Sequence, residues 1–161
     1  MKKVLDMPPQ ARVWIYISPR KLTQEEMEQI RQEGVEFITT WAAHGNALDA
    51  CMEIVNDCFI LLAADEAQMA ASGCSIDASV RFIQQLGKRL GIDFLQRTLV
   101  WYRDEQGKMV PSQLNKFWAL RKAGVVTDRT RVFNTLVRNV AEFRDQWELP
   151  FSDSWHHSMW S

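Results

Sequence analysis

The chain has 161 residues, 47 % apolar and 24 % charged, which is the composition of a folded domain and argues against disorder. A chain of this length buries roughly 70 % of its unfolded surface, so it needs neither disulfides nor a metal to fold. Nineteen basic and twenty acidic side chains leave a net charge of −1, and a pI near 6.3 excludes a general nucleic-acid footprint by bulk charge.

No stretch of about 18 consecutive apolar residues occurs, so nothing is expected to span a membrane. Asp6, Pro8 and Pro9 interrupt the only segment that could follow the Lys2-Lys3 pair as a signal peptide, so the expected compartment is the cytoplasm. Three cysteines, Cys51, Cys58 and Cys74, lack Cys-x-x-Cys spacing and read as reduced thiols.

In chain order, Arg12 to Ser18 is β-branched and aromatic, ends at Pro19, and predicts a strand. Thr23-Gln24-Glu25-Glu26 is a capping box, and Met27, Ile30, Gly34, Phe37, Ile38 and Trp41 follow at helical spacing, so a helix is expected over about 24–42. His44-Gly45-Asn46 reads as a turn. Cys51 to Val55 predicts a short strand, Asn56-Asp57 a tight turn, and Phe59 to Ala64 a buried strand. After a loop over 65–73, a second helix is expected from Ser75 to Leu90, stopped by Gly91. Thr98 to Tyr102 predicts a fourth strand. This β-α-β-β-α-β order is the split βαβ arrangement of ferredoxin-like domains. The expected fold is α+β, with a ferredoxin-like core over 1–104 and residues 105–161 as an extension packed on it, one domain overall.

In the extension, Pro111-Ser112 reads as a helix start, with Leu114, Phe117, Trp118 and Arg121 in phase and Gly124 as its end. Residues 129–137 fit either helix or strand. A strand followed by a short helix near 141–147 is preferred. From Pro150 onward the chain reads as irregular, with His156 and His157 in a mobile tail.

Chemistry is sparse. Phe59 to Glu66 resembles a Walker B strand ending in two acids, but no G-x-x-x-x-G-K-[ST] loop accompanies it to hold phosphates, and ATP hydrolysis is not expected. Cys74 stands near the start of the second helix, where the dipole favours a thiolate, and His44 at the end of the first helix is a candidate base. The competing reading is that Ser72 or Ser75 caps the helix, Asp77 complements its dipole and Cys74 packs as a small apolar residue. The same loop is a candidate ligand site: helix amides at Ser75, Ile76 and Asp77 for an anion, Gly73 for close backbone approach, and Asp65, Glu66 and His44 on the rim. Cys51 and Cys58 across a hairpin are half a zinc site at most, and no metal or cofactor is expected. Aromatics on predicted strands (Trp14, Tyr16, Trp101, Tyr102) offer a base-stacking surface, but no RNP1 pattern accompanies them. Residues 22–80 hold eleven acids and one base, and 97–131 eight bases and three acids. These faces either neutralise each other in the fold or are solvated, or the acidic stretch is a face for a cationic partner.

Trp41-Ala42-Ala43-His44-Gly45, Ala71-Ser72-Gly73-Cys74-Ser75-Ile76-Asp77 and Ser154-Trp155 together resemble a family of short, uncharacterised bacterial proteins often labelled "ABC transporter ATPase". The resemblance covers most of the chain and implies no particular chemistry. Residues 109–135 also resemble the second half of a GYF-like module. The function these readings favour is a non-catalytic module binding a small ligand or a protein, with its site around His44 and residues 65–77. The alternative is a thiol-dependent enzyme using Cys74 with His44. Homodimerisation is compatible with the fold.

Overall fold

The computed structural model describes residues 2–43, 46–47, 49–66 and 73–160. Among these the chain is α+β, with five α-helices, a three-stranded and a four-stranded antiparallel sheet, and a two-stranded ribbon. It divides into two compact units, residues 1–96 with 138–144, and residues 97–137 with 145–161.

In the first unit, strand β1 (Arg12–Ile17) leads into helix α1 (Gln24–Thr40). The helix starts as the capping box requires. Thr23 Oγ1 accepts from the Glu26 amide at 3.1 Å, and the Glu26 carboxylate accepts from the Thr23 amide at 2.9 Å. A ribbon of β2 (Ala42–Ala43) and β3 (Asn46–Ala47) follows, then the hairpin β4 (Asp49–Val55) and β5 (Phe59–Asp65), and helix α2 (Gly73–Leu90). Asn56 and Asp57 both take left-handed angles, φ 53° and 58°, at the hairpin turn, where these two residue types are least penalised. The sheet order is β1-β5-β4. Central β5 is buried from Phe59 to Ala64, which explains its unbroken apolar run. Ile60 and Leu62 face α1 and α2 and join Ile30, Ile83 and Leu86 in one core. Each such side chain contributes roughly 1.5–3 kcal/mol by burial. Segment 138–140 closes the β1 edge through the hydrogen bond from the Val13 amide to Arg138 O (2.9 Å) and that from the Val140 amide to Ala11 O (3.0 Å).

The helices run antiparallel, because Glu33 pairs with Arg89, Phe37 stacks on Phe82, and Trp41 meets Ser75. Gly87 lets α2 turn back on itself: a Cβ there would overlap the Ile92 carbonyl oxygen. Gly91, φ 69°, ends the helix.

The second unit is built on β6 (Leu99–Arg103), β7 (Met109–Gln113), β8 (Arg131–Phe133) and β9 (Glu148–Pro150), in the order β7-β6-β8-β9. Helix α3 (Leu114–Lys122) places Phe117 against Val100, Tyr102, Val132 and Phe151. Helix α4 (Val140–Gln146) belongs to the first unit through residue 144, and α5 (Trp155–Trp160) lies in the second.

Four expectations change. The strand order does not reproduce the ferredoxin-like sheet: Leu99–Arg103, expected as its fourth strand, pairs with β7 and β8 instead. The reason is non-local. Its apolar run, buried from Leu99 to Tyr102, suits either sheet, and the partner is chosen by pairing rather than by the strand itself. Pro111 does not open a helix. It lies inside β7, opposite Trp101, on an outer strand of its sheet where the missing N–H costs least. The segment after Pro150 is ordered into a 3-10 turn (Phe151–Asp153) and α5. His156 is therefore in the core of the second unit, 1 % exposed, and not in a tail.

Candidate functional site

The expected site lies at the end of the three-stranded sheet where β1 begins and β5 ends. The register sets Arg12 opposite Ala64 and Asp49 opposite Asp65. α1 runs back over the sheet from the far end of β1 and delivers Trp41 to this place. Trp41 is buried against Trp14, Phe37, Ile38, Ala50 and Ala64. The Trp14 ring meets it edge-on at 5.7 Å, an arrangement the ring quadrupoles favour. Its indole Nε1 donates to the Ser75 carbonyl at 2.8 Å, a buried hydrogen bond across 34 residues. The exit of α1 and the entry of α2 are thereby drawn together.

α2 opens at Gly73, two residues earlier than the sequence implies, so Cys74 and Ser75 lie in its first turn. Ser75 is buried and does not act as the cap, and Ser79 Oγ donates to the Ile76 carbonyl at 2.6 Å. Gly73, Cys74 and Asp77 are exposed, and a Cβ on Gly73 would meet nothing within 4 Å among the described residues. Asp65 and Glu66 are half-buried at the end of β5. Glu66 pairs with Arg12 at 3.3 Å, and the Arg12 guanidinium also lies 4.8 Å over the Trp14 ring. Asp49 pairs with Lys2 at 3.1 Å. Such exposed pairs contribute about 0–1 kcal/mol and leave the carboxylates accessible to other cations. His44 as a candidate base, Ser72 as a candidate cap and the rest of the 67–72 loop lie outside the described residues.

The other two thiols are structural. Burial pushes Cys51 up to about 11 and Cys58 up to about 12, so neither is a thiolate near neutral pH. The hairpin register places Cys51 opposite Ala63, four residues from the Val55–Phe59 end that carries Cys58, so the two do not meet as half a zinc site. Among the described residues no group of three or more His, Cys, Asp or Glu could hold a metal ion. Of the four strand aromatics, Tyr16, Trp101 and Tyr102 are 8 %, 1 % and 9 % exposed, and Trp14 is half-buried.

Two features of the second unit had no clear sequence signal. The first is a concavity of about 640 Å³ between the β6–β7 turn and residues 124–131, with Arg103, Arg129 and Arg131 on its wall. Gly107 and Gly124, both at φ 80°, shape its rim. Arg103 and Arg131 share Glu148, at 2.9 and 3.4 Å; desolvation raises its carboxyl, but the two guanidinium groups outweigh it and hold the group below the usual range. The second is the Trp155–His156 pair, stacked at 3.8 Å, whose Trp155 Nε1 and His156 Nδ1 are buried with no hydrogen-bond partner among the described residues. Burial lowers His156 to about 4, so it is neutral at pH 7. No family model, curated protein or solved structure matches the chain.

Proposed function

We propose that the protein is a non-catalytic binding module for a small ligand or a protein segment, and not an ATPase. Its site is the end of the first unit's sheet at Asp65 and Glu66, together with Gly73, Cys74, Ser75 and Asp77 of α2, which Trp41 ties to that end, and with His44 as a further candidate from the sequence. The observation that supports this reading is the Trp41–Ser75 hydrogen bond. It spends a buried donor on holding the two helix ends in register beside the end of β5, and so pre-organises the exposed first turn of α2. Beside it stand an uncluttered Gly73, an exposed Asp77 and the half-buried Asp65 and Glu66, a set able to orient a polar ligand without any bond being broken. Apart from the β2–β3 ribbon, this unit has the β-α-β-β-α order of the first five elements of the ferredoxin-like series, which supports regarding it as a shortened relative of that fold.

The decisive experiment is an NMR titration of the full chain with a fragment and anion library. Shifts that cluster on residues 65–66 and 73–77 support the reading, and a library that leaves them unmoved overturns it. The exposed position of Cys74 in the first turn of an 18-residue helix favours a second reading, a thiol-dependent enzyme. The two separate on Cys74→Ser, which removes all function under the thiol reading and preserves ligand binding under the first.

A further inference from the structure

The outer face of the α1–α2 pair carries a groove of about 470 Å³ walled by Glu33, Glu36, Phe37, Arg81, Phe82 and Arg89. Phe37 and Phe82 stack across its floor, centroids 4.4 Å apart and planes 7° from parallel, and both remain half-exposed. Glu33 and Arg89 are joined in an ion pair. Glu36 and Arg81 are exposed, and neither side chain has an ion pair or hydrogen bond within the described residues. The helices also differ in charge. α1 carries five glutamates and one arginine, and α2 carries one aspartate against Arg81, Lys88 and Arg89.

We infer that this groove is a homodimer interface, with a second copy of the chain laid face to face on it about a two-fold axis along the groove. The geometry selects that axis. A two-fold parallel to the helices keeps every residue at its own level and exchanges left for right, so α1 of one copy lies over α2 of the other. The stack sets residue 37 level with residue 82, so Glu36 and Arg81 are less than one turn apart along the axis. Glu36 of each copy then meets Arg81 of its partner, and the contact occurs twice, as an isologous interface requires. The two phenyl stacks meet at the centre and are removed from water. A two-fold across the helices would instead lay the acidic α1 on α1 and the basic α2 on α2, which like-charge repulsion disfavours.

The test is sedimentation equilibrium of the full chain, with circular dichroism to confirm folding. The wild type is expected to dimerise, more weakly at high salt. Glu36→Arg sets arginine against arginine and Arg81→Glu sets glutamate against glutamate. Each alone should weaken the dimer by about a hundredfold. Because both side chains are exposed and unpartnered, both variants should fold. The double variant, and an equimolar mixture of the two single variants, restore opposite charges across the axis and should recover the dimer. A wild type that stays monomeric at every concentration overturns the inference. So does a dimer that both single variants leave unchanged, or a loss that neither the double variant nor the mixture repairs.

Discussion

The indole of Trp41 and the main-chain carbonyl of Ser75 are bonded at 2.8 Å inside the first unit, and this one contact fixes where α2 begins relative to where α1 ends. Trp41→Phe keeps most of the ring packing against Trp14, Phe37 and Ala64 but leaves that carbonyl without the indole donor. A loss of about 1–3 kcal/mol in urea unfolding is expected. Amide exchange should quicken first at residues 73–77, ahead of the core of α2. Uniform acceleration along the helix would show that the bond does not organise the site.

Gly87 and Gly34 are both buried helix glycines, where alanine ordinarily gains about 0.5–1 kcal/mol. At Gly87 the added methyl would strike the Ile92 carbonyl oxygen, a backbone atom whose neighbours Gly91 and Phe94 are themselves fixed. Gly87→Ala is expected to destabilise by roughly 1–3 kcal/mol. At Gly34 the obstacle is the thioether end of Met52, a flexible side chain that can swing aside. Gly34→Ala should therefore cost less than Gly87→Ala, and thermal unfolding of the two variants side by side checks the order.

Acid should destabilise the protein in two separate windows. His156 falls from the ordinary 6.5 to about 4 through desolvation. The unfolded chain therefore binds more protons than the folded one between those values, and stability declines as pH falls from 6.5 to 4. The full drop is worth about 3 kcal/mol. Glu26, held to about 2 by Arg20 and Thr23, acts lower down: its contribution is present above 4.5 and is lost between 4.5 and about 2. His156→Phe places an apolar ring beside Phe117 and Trp155 and removes the unpartnered Nδ1. It should flatten the upper window, leave the lower one, and hold or raise stability at pH 7. Chemical denaturation at half-unit pH steps reads both windows. A variant whose upper window is unchanged would mean that His156 is not its source.

Of the three thiols, only Cys74 is exposed. A native titration with a disulfide reagent should consume one equivalent quickly and the remaining two only after unfolding. Cys74→Ser should abolish the fast phase. Cys51 and Cys58, pushed up by burial to about 11 and about 12, should stay silent through pH 9. A second fast equivalent would show that the hairpin opens in the native state.

Local signals determined the local elements. The Thr23–Glu26 box, the helical spacing from Met27 to Trp41, the Asn56-Asp57 turn and the apolar run of β5 each act over a few residues, and each lies where its chemistry places it. Interactions between residues far apart in sequence had no such signature. Val, Trp and Tyr at 100–102 make a good strand for either sheet, and only pairing with Val110 and Val132 assigns it to the second unit. Pro111 reads as a helix start until an outer strand excuses its missing N–H. His156 reads as a tail residue until Phe117, Trp155 and the 3-10 turn enclose it. For the site, the sequence supplied the residue types around 65–77. That the two helix ends meet there rests on a single indole and a carbonyl 34 positions away, a pairing that tertiary packing alone decides because a main-chain acceptor carries no mark of its partner in the sequence.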